Sequence, residues 1–405
     1  MIWQKEKGIE NRQNLDYMIL AMIVFFLIAI IFNQALLFAV IGMMLGYLTL
    51  VKIYDHHIGQ KLHLKNERTS IRLFPGDEAT LTFELHNKSI IPYVNGDFTF
   101  QTDKNMRIIY DQVHLHKREQ SVRIPLSVLG KKKGTITLPI MALERGTIKI
   151  KNIQYTFPNL FSFVSTTLRY VPYYHTEYVI FPDLLEVQGL RQYFQQKSGD
   201  QRVLVSPYED TLSPYGTRDY HFSDPFHKIS WKASAKLQTL QTTVFDRVLS
   251  QSLLIIVNIG SQHGANMTHI HPDMEKLLSY TAYICRYASE TDIPYEIMMN
   301  VRKPGRTPYI HMPEGTGKNH YVRILEMLAR IPHQPLVIPI NHLLYQVMQT
   351  LSEPKTVIVI GEISPMIQEL IDQLQHVQPH ILHVERTTEG AMLRQWTKAV
   401  TTYGT

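Results

Sequence analysis

From Tyr17 to Val51 the chain runs for 35 residues without Asp, Glu, Lys, Arg or His, and Asp16 and Lys52 close this window. One helix of that length would extend about 52 Å, against a hydrocarbon core of about 30 Å. The window divides more naturally at its central polar pair, Asn33-Gln34, into two membrane helices over about 16–32 and 35–52 joined by a tight turn. Gly42 and Gly46 form a small-xxx-small pair, a spacing that permits close helix contact and is also ordinary in membrane helices. A cleaved signal peptide has an apolar stretch of roughly 7–15 residues and then a small-residue cleavage site. This window is far longer and has no such site.

Lys5, Lys7 and Arg12 precede the window, Lys52, Lys61 and Lys65 follow it, and the turn is uncharged. The positive-inside rule then puts both termini in the cytoplasm, with the chain a two-helix, multi-pass protein of the cell membrane. A single cysteine, Cys285, excludes a disulfide framework and a zinc site built on several thiolates. A formal charge of +6 is too mild to argue for nucleic-acid binding. That charge is segregated: residues 52–155 hold 17 Lys/Arg against 10 Asp/Glu, whereas 156–250 hold 9 of each and 251–405 hold 12 against 13. The densest basic run, Lys131-Lys132-Lys133-Gly134, reads as a solvated hairpin turn, or as a contact for an anionic leaflet.

Beyond the window, short strands with turns between them fill residues 59–170. Ala79, Leu81, Phe83 and Leu85 alternate with Thr80, Thr82, Glu84 and His86, the period of a strand with one buried face. Further runs at 97–102, 121–128, 135–142 and 146–155 predict an antiparallel β-sandwich. Residues 171–250 form a connecting segment interrupted by Pro172, Pro182, Pro207, Pro214 and Pro225, with a strand over 177–181 and an exposed loop over 198–213. From 251 to 405, apolar strands at 253–258, 295–301, 356–360 and 380–384 alternate with amphipathic helices at 272–290, 319–330 and 365–377. That alternation predicts a doubly wound α/β domain. The expected fold class is therefore α+β multidomain: anchor hairpin over 1–58, sandwich, connecting segment and α/β domain. Cys285 falls on the buried stripe of its helix and reads as core.

Catalytic motifs are sparse. Gly315-Thr316-Gly317-Lys318 lacks the phosphate loop's earlier glycine, since position 312 is Met, and its hydroxyl, since position 319 is Asn. His56-His57, His114/His116 and His269/His271 are close pairs, but no third metal ligand follows at a matching spacing. No catalytic residue, metal or cofactor is expected. The densest chemistry is over 216–236, where Arg218, Lys228, Lys232 and Lys236 interleave with Tyr220, Phe222, Phe226 and Trp231, and Asp219 and Asp224 supply counter-charge. Such a mixture suits an ion-pair and cation–π framework, or a partner-binding surface. Read as a framework joining the two domains, it predicts a buried Trp231.

This stretch, Arg218-x-Tyr220-x-x-x-Asp224-x-x-x-Lys228-Ile229-x-Trp231-Lys232-Ala233-Ser234-Ala235-Lys236, with Phe245-Asp246 after it, resembles the signature of the domain-of-unknown-function 58 family. Glu144-Arg145-Gly146-Thr147 and Phe157-Pro158-Asn159-Leu160-Phe161 resemble the family's upstream motifs. Ser223 departs from the family's glycine, and His227-Lys228 stands where arginine is usual. The resemblance spans essentially the whole chain, including two N-terminal membrane helices. It implies a von Willebrand factor A-like α/β domain, partnership with a MoxR-type AAA+ ATPase, and a role in assembly or maturation of other proteins. Such domains often hold a metal through Asp-x-Ser-x-Ser after the first strand. Here those positions read Asn258-Ile259-Gly260-Ser261-Gln262, so Asn258, Gly260 and Gln262 form a degenerate site without the carboxylate that a hard cation needs. The expectation is a cytoplasm-facing membrane scaffold. The alternative is a metal- or ligand-binding receptor, or an enzyme, using the mouth of the α/β sheet near Asn258, Ser261 and Glu362.

Overall fold

The computed structural model describes residues 2–6, 9–32, 35–110, 113–115, 119–161, 165–198, 209–222, 224–247, 252–262, 268–305, 307–351, 353, 355–378, 380–387 and 390–397, in two units, Met1–Pro182 and Asp183–Thr405.

In the first unit the uncharged window is helical. The helices are Ile9–Phe32 and Ala35–His57; the expected turn at Asn33-Gln34 lies outside the described residues. Leu36–His57 is long and apolar enough to cross a membrane, and Tyr17–Ile31 is a shorter apolar helix. Large side chains such as Leu20, Ile31, Leu36 and Met43 stand exposed on them, unlike those of a core helix. The two helices touch through Phe26 and Phe38, whose rings are 6.5 Å apart. A Cβ on Gly42 or Gly46 would meet open space, so that glycine pair makes no close helix contact. The second helix runs past its expected end at residue 52 to His57, and Tyr54 on it, with Ile58 just after it, buries into the sandwich core.

The sandwich packs a six-stranded sheet, in the order Trp3–Glu6, Ser165–Tyr170, Lys151–Pro158, Tyr93–Asp103, Glu119–Val128 and Val113–Leu115, against a four-stranded one. The latter orders Leu62–Leu64, Glu78–Asn87, Lys133–Ala142 and Met106–Ile108. Both are antiparallel. The period-two reading of 79–86 holds: Leu81, Phe83 and Leu85 are buried, and Phe83 lies 4.9–5.5 Å, centroid to centroid, from Phe98, Phe100 and Tyr174. Three features differ from expectation. Trp3–Glu6, assigned to the anchor, is a sandwich strand, pinned by the buried Trp3 edge-on to Tyr170. The sandwich extends beyond residue 170, since Glu177–Ile180 pairs parallel to Ser70–Leu73 and antiparallel to Gly146–Lys149, with Pro172 and Pro182 outside the ladder. Finally, Lys131-Lys132 joins strands of opposite sheets instead of closing a hairpin. The crossing brings Gly130 so close to Ile90 that a Cβ would sit 2.2 Å from its carbonyl oxygen.

The second unit is a mixed α/β fold. Its seven-stranded sheet orders Val187–Gln188, Gly390–Gln395, Ile381–Thr387, Thr356–Ile360, Leu253–Val257, Tyr295–Met299 and Ile310–Gly315. The four strands from 381 to 299 in that order are parallel; Ile310–Gly315 and Gly390–Gln395 run antiparallel. Leu253–Val257, Tyr295–Met299 and Thr356–Ile360 are buried at every position, as strands covered on both faces must be. Helices Ile340–Thr350 and Pro365–Val377 cover one face through Leu343, Leu344, Val347, Ile367, Leu370 and Leu374. Met274–Glu290 packs against Gly317–Ala329, and each buries an apolar stripe. Cys285 lies on such a stripe, fully buried, and burial pushes its thiol well above the ordinary range. Of the expected loop over 198–213, Ser198 ends helix Leu190–Ser198 and 209–213 begin strand Glu209–Asp219; residues 199–208 lie outside the described ones.

Candidate functional site

Two places were expected to carry chemistry, the mouth of the α/β sheet and the 216–236 stretch. The mouth lies where the strand order reverses, between Leu253–Val257 and Thr356–Ile360, the place where open α/β sheets bind ligands. Here the first residue after each strand is committed to its neighbours. Asn258 Nδ2 donates to the Glu362 carbonyl at 2.9 Å, and Asn258 Oδ1 accepts from Gly260 N at 3.1 Å and from Asn300 Nδ2 at 2.8 Å. Asn300, fully buried, donates also to the Ile338 carbonyl at 3.0 Å and accepts from Ile259 N at 2.9 Å. Gly361 has φ +122°, and a Cβ there would stand 2.1 Å from Asn258 O, so only glycine fits. His383 Nε2 lies 3.1 Å from the Gly361 carbonyl; burial holds His383 below the ordinary histidine range, and that bond acts the other way.

The two asparagines thus form a neutral, mutually satisfied amide lock. Ser261 is buried nearby, Glu362 is exposed, Gly260 starts the strand Gly260–Gln262, and the Gln262 side chain lies outside the described residues. Among the described residues no group of three or more His, Cys, Asp or Glu is placed to hold a metal ion. His271 Nδ1 accepts from Asp273 N at 3.1 Å, a helix-entry contact. Gly315-Thr316-Gly317-Lys318 is the step from strand Ile310–Gly315 into helix Gly317–Ala329.

The sequence reading missed Asn300 and Gly361. The signal for Asn300 was present, since an asparagine directly follows each of two buried apolar strands, at 258 and 300. It missed also a charged cluster at the opposite end of the sheet. There Lys355 Nζ lies 2.9 Å from Glu296 and pairs with Glu314, His311 Nε2 lies 3.2 Å from Glu296, and Ser252 Oγ donates to Glu314 at 2.8 Å. Burial raises the Glu296 pKa, but His311 and Lys355 more than offset it and hold it below the ordinary range. Lys355 likewise rises despite burial, because of Glu314 and Glu296.

The 216–236 stretch is the excursion of a two-stranded ribbon, Glu209–Asp219 paired with Gln241–Arg247. The structure brings its polar residues together. Asp224 accepts from Arg218 Nη2 at 2.7 Å, from His221 N at 3.1 Å and from Thr242 Oγ1 at 3.1 Å. The Arg218 bond and then the His221 bond pull its pKa down to about 2. Asp219 accepts from Gln241 Nε2, Gln241 N donates to Ser234 Oγ at 2.8 Å, and Ser234 Oγ donates to the Ser230 carbonyl at 2.9 Å. Ser230 caps helix Trp231–Leu237, and Gln238 ends it in the left-handed region. Ile229 is the buried apolar pin, and Tyr220, half-buried, places its ring 6.1 Å from Phe226.

The aromatics do not join this frame. Phe222 is 85% exposed, Phe226 77% and Trp231 69%, and Leu237, Leu240 and Lys232 are exposed beside them. Trp231 is therefore not the buried pillar its large apolar surface suggested: a seven-residue helix on a two-stranded ribbon has too little neighbouring mass to cover it. Lys228 is half-buried in the turn Phe226–Lys228, Ser223 lies outside the described residues, and only the backbone of Phe245 is described, paired with Pro214.

No protein-family model and no curated protein matches this chain. Among solved structures, it is similar to trypsin-activated alpha-2-macroglobulin from Escherichia coli (12% identity, 42% of this chain, 9% of that one, TM-score 0.22). It is similar also to AvmM, which catalyses macrocyclization in alchivemycin A biosynthesis (9% identity, 28% of this chain, 90% of that one, TM-score 0.19). A third is the sporulation control protein Spo0M from Bacillus subtilis (13% identity, 30% of this chain, 48% of that one, TM-score 0.15). These likenesses are partial in coverage and low in TM-score.

Proposed function

We propose that this chain is a membrane-anchored scaffold of the domain-of-unknown-function 58 type, which docks a MoxR-type AAA+ ATPase through its 209–247 ribbon during assembly or maturation of other proteins. The observation that carries this reading is the division of labour within the signature stretch. Arg218, Asp224, Thr242, Asp219 and Gln241 consume one another's polar groups, while Phe222, Phe226, Trp231 and Lys232 are presented outward. A stiff polar frame beneath exposed aromatic and cationic tips is the arrangement of an interface anchor, since the side chains that would bury on contact lose little freedom.

Two further features support the rest of the reading. The strand order of the α/β unit, with antiparallel strands flanking four parallel ones, suits a von Willebrand factor A-like domain, and the amide lock at its mouth suits a domain without a metal. The anchor is read as a two-helix hairpin, because Trp3–Glu6 before the first helix pairs with the sandwich that follows the second, and the Lys and Arg flanking the apolar window are the reason for reading that side as cytoplasmic. Strand and sandwich therefore share one side of any membrane the helices span.

Full-length tagged protein, purified from membranes after mild crosslinking with a co-expressed MoxR-type ATPase, tests the partner. Trp231→Ala and Lys232→Glu are expected to keep the denaturation midpoint and to lower recovered ATPase by roughly thirtyfold or more, the size of an interface hot spot. Undiminished recovery with Phe226→Ala/Trp231→Ala refutes the docking role. Reporter fusions at residues 1 and 405 test topology, and an external C-terminus refutes the cytoplasmic scaffold.

A further inference from the structure

The sandwich does not hang from the membrane helix by a linker; it is clamped along the helix side. Tyr47 donates through its hydroxyl to the Phe161 carbonyl, the Tyr54 and Phe161 rings are 5.1 Å apart, and Lys5 pairs with Asp55 at 2.7 Å. The Tyr93 hydroxyl accepts from Gly59 N at 3.0 Å. Tyr47 stands ten residues before the helix end at His57 and four before Val51, where the uncharged window closes. At 1.5 Å per residue the loop carrying Phe161 therefore reaches roughly 6 Å past the charge-free boundary, toward the apolar part of the helix. One end of the sandwich is thus held at the level of the bilayer surface.

That end has an unusual composition. Lys88 N donates to the Lys61 carbonyl at 2.9 Å, Lys131 N to the Ser89 carbonyl at 2.8 Å, and Asn87 N to the Lys132 carbonyl at 3.0 Å, while Lys133 pairs across from His86. Backbone bonding thereby gathers five lysines that the sequence spreads over 61–133, all exposed. No carboxylate of the described residues pairs with any of them, and the nearby Asp55 is already taken by Lys5. Among them stand Ile90, 78% exposed, and Leu129, 56% exposed, on the two chain segments that meet at Gly130. Leu160 is exposed on the Phe161 loop.

We propose that this end of the sandwich is a lipid-binding face that seats on an anionic phospholipid leaflet, with Ile90, Leu129 and Leu160 entering the interface and Lys61, Lys88 and Lys131–Lys133 meeting headgroup phosphates. The occupant follows from charge and position. Unpaired ammonium groups on long stems beside isolated apolar tips match a negatively charged surface with an apolar layer beneath it. The helix clamp brings that surface to them. The helices anchor the chain, and this face fixes how the sandwich stands on the membrane. The inference rests on the membrane reading of the two helices.

Full-length protein carrying Leu129→Cys, labelled with an environment-sensitive fluorophore, is reconstituted into nanodiscs with or without phosphatidylglycerol, each containing nitroxide-labelled lipid. Glu78→Cys, at the far end of strand Glu78–Asn87 in the facing sheet, is the control, and buried Cys285 leaves the parent protein unlabelled. Quenching at 129 is expected to exceed that at 78 at least threefold in anionic discs, and to fall by a similar factor with Lys131→Gln/Lys132→Gln/Lys133→Gln or at high salt. Lys61→Gln/Lys88→Gln, away from the crossing turn, is expected to act in the same direction. Incorporation into discs with equal quenching at 129 and 78 overturns this proposal alone. Failure of the chain to incorporate overturns it together with the anchor.

Discussion

The two ends of the parallel sheet are tied by opposite chemistry. At the carboxyl end Asn258 and Asn300 satisfy each other and the neighbouring backbone with neutral amides. At the amino end Lys355 lies between Glu296 and Glu314, with His311 and Ser252 completing the network. Neutral amides cost little to bury once their hydrogen bonds are made, whereas a buried charge is tolerated only with its partner present. At the carboxyl end, where α/β folds place ligands, the two asparagines have their hydrogen bonds made within the protein. The amino end is stable only while its charges are in place.

The largest effect should come from breaking the charged end. Lys355→Met leaves the mostly buried Glu296 with His311 alone, and is expected to cost about 3 kcal/mol in chemical denaturation. Adding Glu296→Leu should recover most of that loss, because an apolar pair replaces a stranded charge. A double variant no more stable than Lys355→Met would show that the pair contributes more than mutual compensation.

Asn300→Ala should come next. It strands Ile259 N and the Ile338 carbonyl at a fully buried site, for about 1–3 kcal/mol. The two ends should then separate by pH. The folded-state pKa values of Glu296 and Glu314 lie below the ordinary glutamate value, so their stabilisation is complete above about pH 4.3 and is lost as pH falls through the depressed values. Lys355 is raised, so its share is complete below about pH 10.4 and is lost as pH rises through its folded value. The cost of Lys355→Met should therefore shrink at both extremes, while that of Asn300→Ala stays level. Equal pH dependence of the two would erase the contrast. Trp231→Ala should have the smallest effect, within roughly 0.5 kcal/mol, because the ring is exposed. A midpoint loss of core-truncation size would return Trp231 to a structural role.

The sequence by itself determined the features that depend on local pattern. An uncharged window can only be helical where no water satisfies the backbone, and its apolar side chains do stand exposed on two helices. Period two at 79–86 placed Leu81, Phe83 and Leu85 inward, and unbroken apolar runs placed the strands buried on both faces. Tertiary structure alone decided where partners met. Trp3–Glu6 reads as part of the anchor until it pairs with residues 167–170, and the five lysines at the helix-side end come from three separate segments. Trp231 is apolar enough to be core, yet on its seven-residue helix the ring stands 69% exposed. Asn258 reads as a lost metal ligand until Asn300, 42 residues away, is seen to complete its hydrogen bonds. Side-chain pattern fixes which face of an element is apolar, whereas burial and hydrogen-bond satisfaction depend on which distant segments the fold brings alongside.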